Sequence, residues 1–470
     1  MMDREKGSAL IFALIVTAVM MVLGLGLSIS ALGDFTMSEE FEARERALLT
    51  AEEGLAAAQR TLRGRDLSAL LAETRQVQLY TGVAPGFYRD PISFVEARSV
   101  DFGRLPNPVS AVSLSGLLTP PSGFATARGR YFARLSDNDD GDGDLLADTD
   151  GRVFIRVTGI EPGPAQEFVS LNSNRKNAVV MVEATLKRVM TFDVQSPFSV
   201  YGPSVNPAQN QFFDGNSFKI DGYDHSNMSV EQLLRGGHPH NGQMSAQPAI
   251  SVLNNDPDMN DGRVTANTIY NGMSSNQYDN VEGAAGDFGA EPSIRDDTER
   301  VRNSGNEDAT NIFSAYFLQV FLQRVTAAAD AVYPDGTTLS GSGIQLGTNE
   351  NPQIVVCEGD LTLSGNGSGA GLLIVKGTLN YQGAFNYNGL ILVIGEGNLE
   401  IGGANKSIIG GVYVARLERD AQGNPLFGVP SFTLAGNSNF YFRGDSVRMA
   451  YNLLPMRQIG WREITAEIAE

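Results

Sequence analysis

The feature that most constrains this chain is an uncharged run of 26 residues, residues 8–33, close to its beginning. As an α-helix this run would be about 39 Å long at about 1.5 Å per residue, which exceeds the roughly 30 Å hydrocarbon core of a bilayer. The run therefore predicts a helix that crosses a membrane with some tilt.

The apolar pattern continues beyond this run at helical spacing. Between residues 34 and 62 the apolar positions of this stripe are Phe41, Leu48, Ala51, Leu55, Ala58 and Leu62. No proline occurs in residues 1–84. One continuous helix over residues 8–63 is predicted, with one half suited to lipid and the other resting on a globular head. Gly24 and Gly26 lie in the apolar half, where they either loosen the helix or allow close helix packing.

A short polar leader precedes the apolar run. Gly7 ends the leader, and the small residue Ser8 begins the run. A secretory signal peptide is not predicted, because its apolar core has only about 7–15 residues. A generic single-span anchor remains the alternative to the more specific interpretation that follows.

Over residues 4–60 the chain resembles the N-terminal module of the PilX family of type IV pilus minor pilins, including the class III signal of prepilins. The resemblance implies that prepilin peptidase cuts after Gly7, so that Ser8, normally N-methylated, becomes the first mature residue. It also implies a subunit held in the inner membrane before assembly. After assembly that subunit lies in a pilus at the cell surface, in contact with other minor and major pilins.

One residue departs from the pattern of the major pilins. They carry Glu at the fifth mature position, where this chain has Phe12. A carboxylate in lipid is costly unless it is paired, and the family's Glu pairs with the amino terminus of a neighbouring subunit. A subunit without that Glu is tolerated best at the filament tip or in an initiation complex, as in PilX-like minor pilins. A K-type minor pseudopilin of type II secretion fits this departure equally and stays open.

Charge and cysteine content narrow the function further. The chain has 470 residues, a net charge of −19 and an isoelectric point near 4.6. This acidity argues against nucleic acid as a partner, since nucleic-acid binding needs a basic patch. Cys357 is the single cysteine, so no intrachain disulfide can form.

Three segments after the helix alternate apolar and polar residues, as strands with one buried face do. They are residues 130–136, 152–159 and 178–194, the last with Val180, Val182, Ala184 and Leu186 on one face. An antiparallel sheet packed on the exposed half of the long helix would bury both apolar faces.

The first two of these segments are joined by an acidic loop, residues 136–151, that holds seven aspartates. Aligned to an EF-hand loop, Asn138, Asp140 and Asp142 take the first, third and fifth positions, and Asp148 or Asp150 supplies the closing ligand. The alignment lacks the final Glu of a proper EF-hand. Ca²⁺ prefers such carboxylates, so a structural Ca²⁺ site is predicted, with a solvated acidic loop as the alternative. Residues 256–262 repeat the pattern more weakly.

The second half of the chain is glycine-rich and β-rich. Short aliphatic segments recur at 361–363, 372–375, 378–381, 390–394, 398–401 and 411–415, with glycine or asparagine between them. This spacing predicts a solenoid of β-rungs, with a Greek-key sandwich as the competing interpretation. A helix is predicted over 310–333 and a terminal cap over 448–461.

No catalytic constellation stands out in the sequence. The acids of the repeat region and the histidines are Glu358, Asp360, Glu396, Glu400, His225, His238 and His240. No two of these acids form the aligned pair that glycoside hydrolysis needs, and the closely spaced histidines lack an evident third metal ligand. The protein is not expected to be an enzyme.

The sequence thus predicts an α+β fold: a long N-terminal pilin-type helix with an antiparallel sheet, followed by a β-rich solenoid-like domain. The predicted parts are a leader at 1–7, the helix at 8–63, an αβ head at 64–195 and a β-rich domain at 196–470 with a polar insertion at about 226–310. The expected role is that of a minor pilin in assembly initiation or at the filament tip, where it displays the β domain or docks a tip adhesin. A membrane-anchored, polysaccharide-binding β-helix adhesin or enzyme is the remaining alternative.

Overall fold

The computed structural model describes residues 4–67, 69–71, 94–99, 129–137, 151–162, 177–188, 194, 196–202, 212–235, 245–254, 265–304, 310–403 and 405–464. By internal contacts the chain divides into two compact units. Unit 1 comprises Met1–Thr61, Leu67–Lys187 and Gln458–Glu470, and unit 2 comprises Leu62–Asp66 and Arg188–Arg457. The domain limits expected from the sequence stay predictions.

Helix α1, Arg4–Leu62, is continuous over 59 residues, as the sequence predicts. The absence of proline and the unbroken helical spacing account for this continuity. Gly24 and Gly26 are both helical. A second, short helix of unit 1 is α2, Phe94–Ser99.

The buried face of α1 differs in part from the predicted stripe. Ala51, Leu55 and Ala58 are buried as expected, whereas Phe41 is 62% exposed and the prediction is wrong there. The continuation of the buried face toward the N-terminus is formed by Ala43 and Ala47. Small residues face the sheet because its backbone comes very close to the helix.

The sheet of unit 1 has four strands in the order β1-β2-β3-β23. These are β1 Arg130–Asp137, β2 Arg152–Glu161, β3 Ala178–Arg188 and β23 Met456–Ile464. The pairs β1–β2 and β2–β3 are antiparallel, which confirms the predicted sheet. Residues predicted to cap the C-terminus instead contribute β23, so the chain returns to this sheet after passing through unit 2.

Unit 2 contains two sheets. The larger has 13 strands: β4 Phe198–Tyr201, β6 Lys219–Asp221, β7 Ile250–Leu253, β8 Val281–Glu282, β9 Ile294–Asp296, β10 Ala331–Tyr333, β12 Ser342–Leu346, β13 Gln353–Cys357, β15 Asn366–Val375, β17 Phe385–Gly395, β19 Lys406–Arg419, β20 Pro425–Gly428 and β22 Ser438–Tyr441. The smaller sheet has the order β11-β14-β16-β18-β21-β5. Its strands are β5 Phe213–Asp214, β11 Thr337–Leu339, β14 Leu361–Leu363, β16 Thr378–Tyr381, β18 Asn398–Ile401 and β21 Ser431–Ala435.

Strand pairing in unit 2 is parallel, except where β19 meets β20. Val355 pairs with Leu373 and Leu372 pairs with Leu390, 18 residues further along in each case. The smaller sheet repeats this step, since Leu361 pairs with Leu379. Parallel neighbours contradict the Greek-key alternative, which requires antiparallel strands. All the short aliphatic segments listed from the sequence lie in strands.

Two apolar cores fill unit 2. One contains the inward residues of both sheets, among them Leu361, Leu379 and Val393. The other face of the larger sheet packs against helices and includes Leu318 and Phe321. The helices of unit 2 are α3 Val230–Leu234, α4 Thr265–Asn271, α5 Thr298–Arg302, α6 Ala315–Ala327 and α7 Gly444–Asn452.

Two sequence predictions need correction in this part of the chain. The helix expected over 310–333 ends at Ala327, and Ala331–Tyr333 forms the strand β10. The polar insertion expected over 226–310 is more than a surface decoration, because β7, β8 and β9 lie in the larger sheet. Aliphatic residues such as Ile250 and Val252 are fully buried there and explain the strand.

Candidate functional site

The candidate functional site is the N-terminal part of α1. Within the described residues, this is the one helix long and apolar enough to cross a membrane. Its apolar side chains are exposed, including Ile15, Val22 and Leu27. An exposed apolar surface of this length is unfavourable in water and favourable in lipid. The helix is therefore compatible with single-pass membrane anchoring.

The polar side chains of this segment suit a lipid environment. The Thr17 hydroxyl donates to the Ala13 carbonyl at 2.7 Å, and the Ser28 hydroxyl donates to the Gly24 carbonyl at 2.8 Å. An unsatisfied polar group in hydrocarbon is costly, so these internal hydrogen bonds lower the cost of burial in a bilayer.

The predicted processing residues lie at the start of this helix. Gly7 and Ser8 are both in α1, and Phe12 follows one turn later with its ring 70% exposed. Phe12 thus presents an apolar ring where the major pilins present a carboxylate. The roles of Gly7, Ser8 and Phe12 stay predictions.

The five predicted Ca²⁺ ligands, Asn138, Asp140, Asp142, Asp148 and Asp150, lie outside the described residues. The ends of their loop are described: Asp137 of β1 pairs with Val153 of β2 in antiparallel register. The acidic loop therefore joins two neighbouring strands. Among the described residues, no three His, Cys, Asp or Glu side chains form a group that could hold a metal ion. Residues 256–262, His238 and His240 also fall outside the described ranges.

A charged cluster that the sequence analysis missed lies on the sheet of unit 1. Glu183 of β3 accepts hydrogen bonds from Arg156 at 2.9 Å and from Arg462 of β23 at 2.8 Å. Burial acts to raise the pKa of Glu183, but the hydrogen bonds and charges of the two guanidinium groups outweigh it and hold that pKa below its usual range. Glu183 thereby ties the returning strand β23 to β3.

Unit 2 contains a buried Asp–His pair. The Asp221 carboxylate lies 3.3 Å from Nε2 of His225, and both residues are almost fully buried. Burial acts to raise the pKa of Asp221, whereas His225 and the backbone amide of Tyr223 lower it further than burial raises it. The His225 amide donates to the Phe442 carbonyl, so this pair fixes a loop onto the end of β22.

Lys406 is a buried cation in the same unit. Its ammonium group donates to the carbonyls of Tyr381, at 2.7 Å, and Gly402, and it lies 5.3 Å from the centre of the Tyr381 ring. Burial lowers the pKa of Lys406 to about 8. The contacts close the turn between β18 and β19, which is a structural role. Neither this lysine nor the two carboxylate clusters shows a periodic sequence signal, because their partners are far away in the chain.

Comparison with known proteins adds little to this description. No protein-family profile matches the chain, and no curated protein matches it. Among solved structures, the competence-associated pilin ComZ from Thermus thermophilus aligns over 85% of this chain and 98% of its own, with 12% sequence identity and a TM-score of 0.16. A TM-score this low carries no inference about fold or function. The fold and the helix define a class without such help: a β-rich protein with one helix of membrane-spanning length.

Proposed function

We propose that this chain is a pilin-like protein, anchored in the inner membrane by α1 before it enters a type IV pilus. The observation that carries the proposal is the continuity of α1 from the predicted cleavage site through residue 62. A generic anchor does not need to continue as the helix on which a sheet packs. Here the apolar segment and the Ala47–Ala51 surface against the sheet belong to one helix, as the resemblance to minor pilins implies.

The more specific proposal is a minor pilin that acts in assembly initiation or at the filament tip. Phe12 supports it, because a subunit without the buried carboxylate cannot pair with its neighbour's amino terminus. The size of unit 2 supports it too, since 270 residues at 188–457 are difficult to repeat along a packed filament. We further propose that unit 2 is a short β-solenoid, supported by the constant 18-residue step of its parallel pairs, and that it has a binding rather than a catalytic role.

Filament entry can be tested with a processing variant. Gly7→Val places a branched side chain at the predicted cleavage site, and Gly33→Ala is the matched control, because a methyl group there meets nothing within 4 Å. We expect the wild type and Gly33→Ala in sheared, purified pili, and Gly7→Val in the inner membrane alone. The proposal fails if the wild type also stays in the membrane of cells that make normal pili.

A further inference from the structure

The smaller sheet of unit 2 carries a ladder of polar side chains on its outer face. One column follows a continuous parallel register through Thr338, Thr362, Asn380, Glu400 and Thr433. A second column beside it contains Thr378, Asn398 and Ser431. We call these two columns the polar ladder.

The polar ladder is accessible to solvent. Its members are exposed or half-buried, while the residues that alternate with them, such as Leu379, Leu399 and Phe432, are buried in the core of unit 2. Parallel sheets are generally covered on both faces, so a parallel sheet with an open outer face is unusual. At about 4.8 Å between strands, the longer column spans about 19 Å.

The chemistry of the ladder is uniform. Hydroxyl and amide groups dominate both columns, and Glu400 is the one charged member. Threonine side chains are stiff about χ1, so an array of threonines on paired strands loses little conformational freedom when it binds a ligand. The ladder therefore offers a row of pre-positioned hydrogen-bond donors and acceptors on a flat surface.

This composition excludes several ligand classes. Polyanions are disfavoured, because neither column contains Lys or Arg and Glu400 would repel them. A hydrophobic protein surface is disfavoured as well, because the columns contain no aliphatic or aromatic side chain. A ligand that is itself rich in hydroxyl groups, uncharged and extended matches the ladder along its length.

We propose that the polar ladder binds an extended, uncharged polysaccharide, with successive sugar hydroxyls bonded to successive strands. Thr362, Asn380 and Thr433 form the centre and one end of the site, and Glu400 accepts hydrogen bonds from sugar hydroxyls between them. This binding goes beyond the proposed function in the pilus and does not depend on it. A pilin-like protein of this kind would carry a glycan-binding surface on unit 2.

The test is electrophoresis of the detergent-solubilised full chain through native gels that contain hydroxyethylcellulose. We expect concentration-dependent retardation of the wild type. The double variant Thr362→Val, Thr433→Val removes two hydroxyls and keeps β-branched strand residues, so we expect its dissociation constant to rise at least ten-fold. Thr185→Val, on a strand of the other unit, is the matched control and should bind as the wild type does.

A second variant guards against misfolding of the first. Thr338→Arg adds a bulky side chain at an exposed end of the ladder and should also weaken retardation at least ten-fold, with an unchanged unfolding midpoint. The proposal is overturned if the wild type is not retarded, if the ladder variants are retarded equally, or if polygalacturonate retards the protein as strongly. Because the assay uses purified protein, failure to enter pili does not affect its result.

Discussion

At the scale of single residues, Gly159 sets how closely the sheet of unit 1 approaches α1. A Cβ atom at this position would lie 2.2 Å from the Ala47 carbonyl oxygen and 2.6 Å from the Ala51 amide nitrogen. These are backbone atoms, which cannot move aside as a flexible side chain can. Glycine is therefore required by the close packing of helix on strand.

We predict that Gly159→Val destabilises unit 1 by about 3 kcal/mol, the upper end of typical overpacking costs. Gly402→Ala is the control, because a methyl group there meets nothing within 4 Å, and it should change stability by less than about 0.5 kcal/mol. Denaturant unfolding followed by far-UV circular dichroism measures both. Equal midpoints for the two variants would show that the helix is not packed this closely.

Glu183 gives unit 1 a predictable response to acid. Its folded-state pKa is lowered, so its ion pairs stabilise the fold fully above the pKa of the unfolded chain. That stabilisation is lost as the pH falls through the lower, folded-state value. We predict that Glu183→Gln weakens unit 1 by about 3 kcal/mol at neutral pH, as expected when one partner of a buried pair is removed.

Hydrogen exchange of the β23 amides at pH 7 and pH 4 measures this effect locally. The wild type should lose protection between these pH values, and Glu183→Gln should start low and change little. Glu463→Gln, on the same strand, removes a more exposed ion pair with Arg44 and should cost less than about 1 kcal/mol. A larger loss in Glu463→Gln than in Glu183→Gln would refute the assignment.

At the scale of elements, α6 covers one face of the larger sheet through a few apolar anchors. Phe321 is 2% exposed and lies in the core, whereas Tyr316 on the same helix is 68% exposed. We predict that Phe321→Ala destabilises unit 2 by about 3–5 kcal/mol, because it removes a buried aromatic ring and leaves a cavity.

Tyr316→Ala is the matched aromatic control and should cost less than about 0.5 kcal/mol. Urea unfolding followed by near-UV circular dichroism compares the two variants. If Tyr316→Ala proved as damaging as Phe321→Ala, the helix would have to pack through its other face.

The elements that the sequence predicts are those with a local pattern. Alternation identified β1 and β2, and runs such as residues 390–394 identified the core of β17. The partners of the strands were not predictable, because β19 pairs with β4 through Val412 and Phe198, which are far apart in the chain. For the same reason β23 was mistaken for a terminal cap: its partner β3 lies on the other side of unit 2 in the sequence.

The candidate site divides in the same way. The leader, Gly7, Ser8 and Phe12 form a linear motif and can be recognised without a fold. The Glu183 cluster combines residues from three strands, and the polar ladder appears only after the register of five strands is known. Outward polar residues such as Thr362 carry no sequence signal that separates them from ordinary solvent-facing positions.

At the scale of the whole molecule, seven aspartates in one loop must be neutralised for the β1–β2 connection to be stable. If Ca²⁺ does this, we predict that excess EGTA lowers the unfolding temperature and that added Ca²⁺ restores it. A ligand at 100 times its dissociation constant stabilises the folded state by about 2.7 kcal/mol. Differential scanning calorimetry measures the shift.

Asp140→Asn with Asp142→Asn should abolish the response to EGTA, whereas Asp420→Asn, in a β-hairpin turn of unit 2, should leave it intact. An unfolding temperature of the wild type that does not change with EGTA would favour the solvated acidic loop. That result would leave the proposed role of α1 untouched.

The central claim is that α1 is freed at its front end and leaves the membrane as part of a filament. Intact-mass spectrometry of the protein recovered from purified pili tests it most directly. The account predicts a chain that begins at Ser8 and carries one methyl group on its amino terminus. A chain from the same cells that still begins at Met1, with residues 1–7 in place, would contradict it.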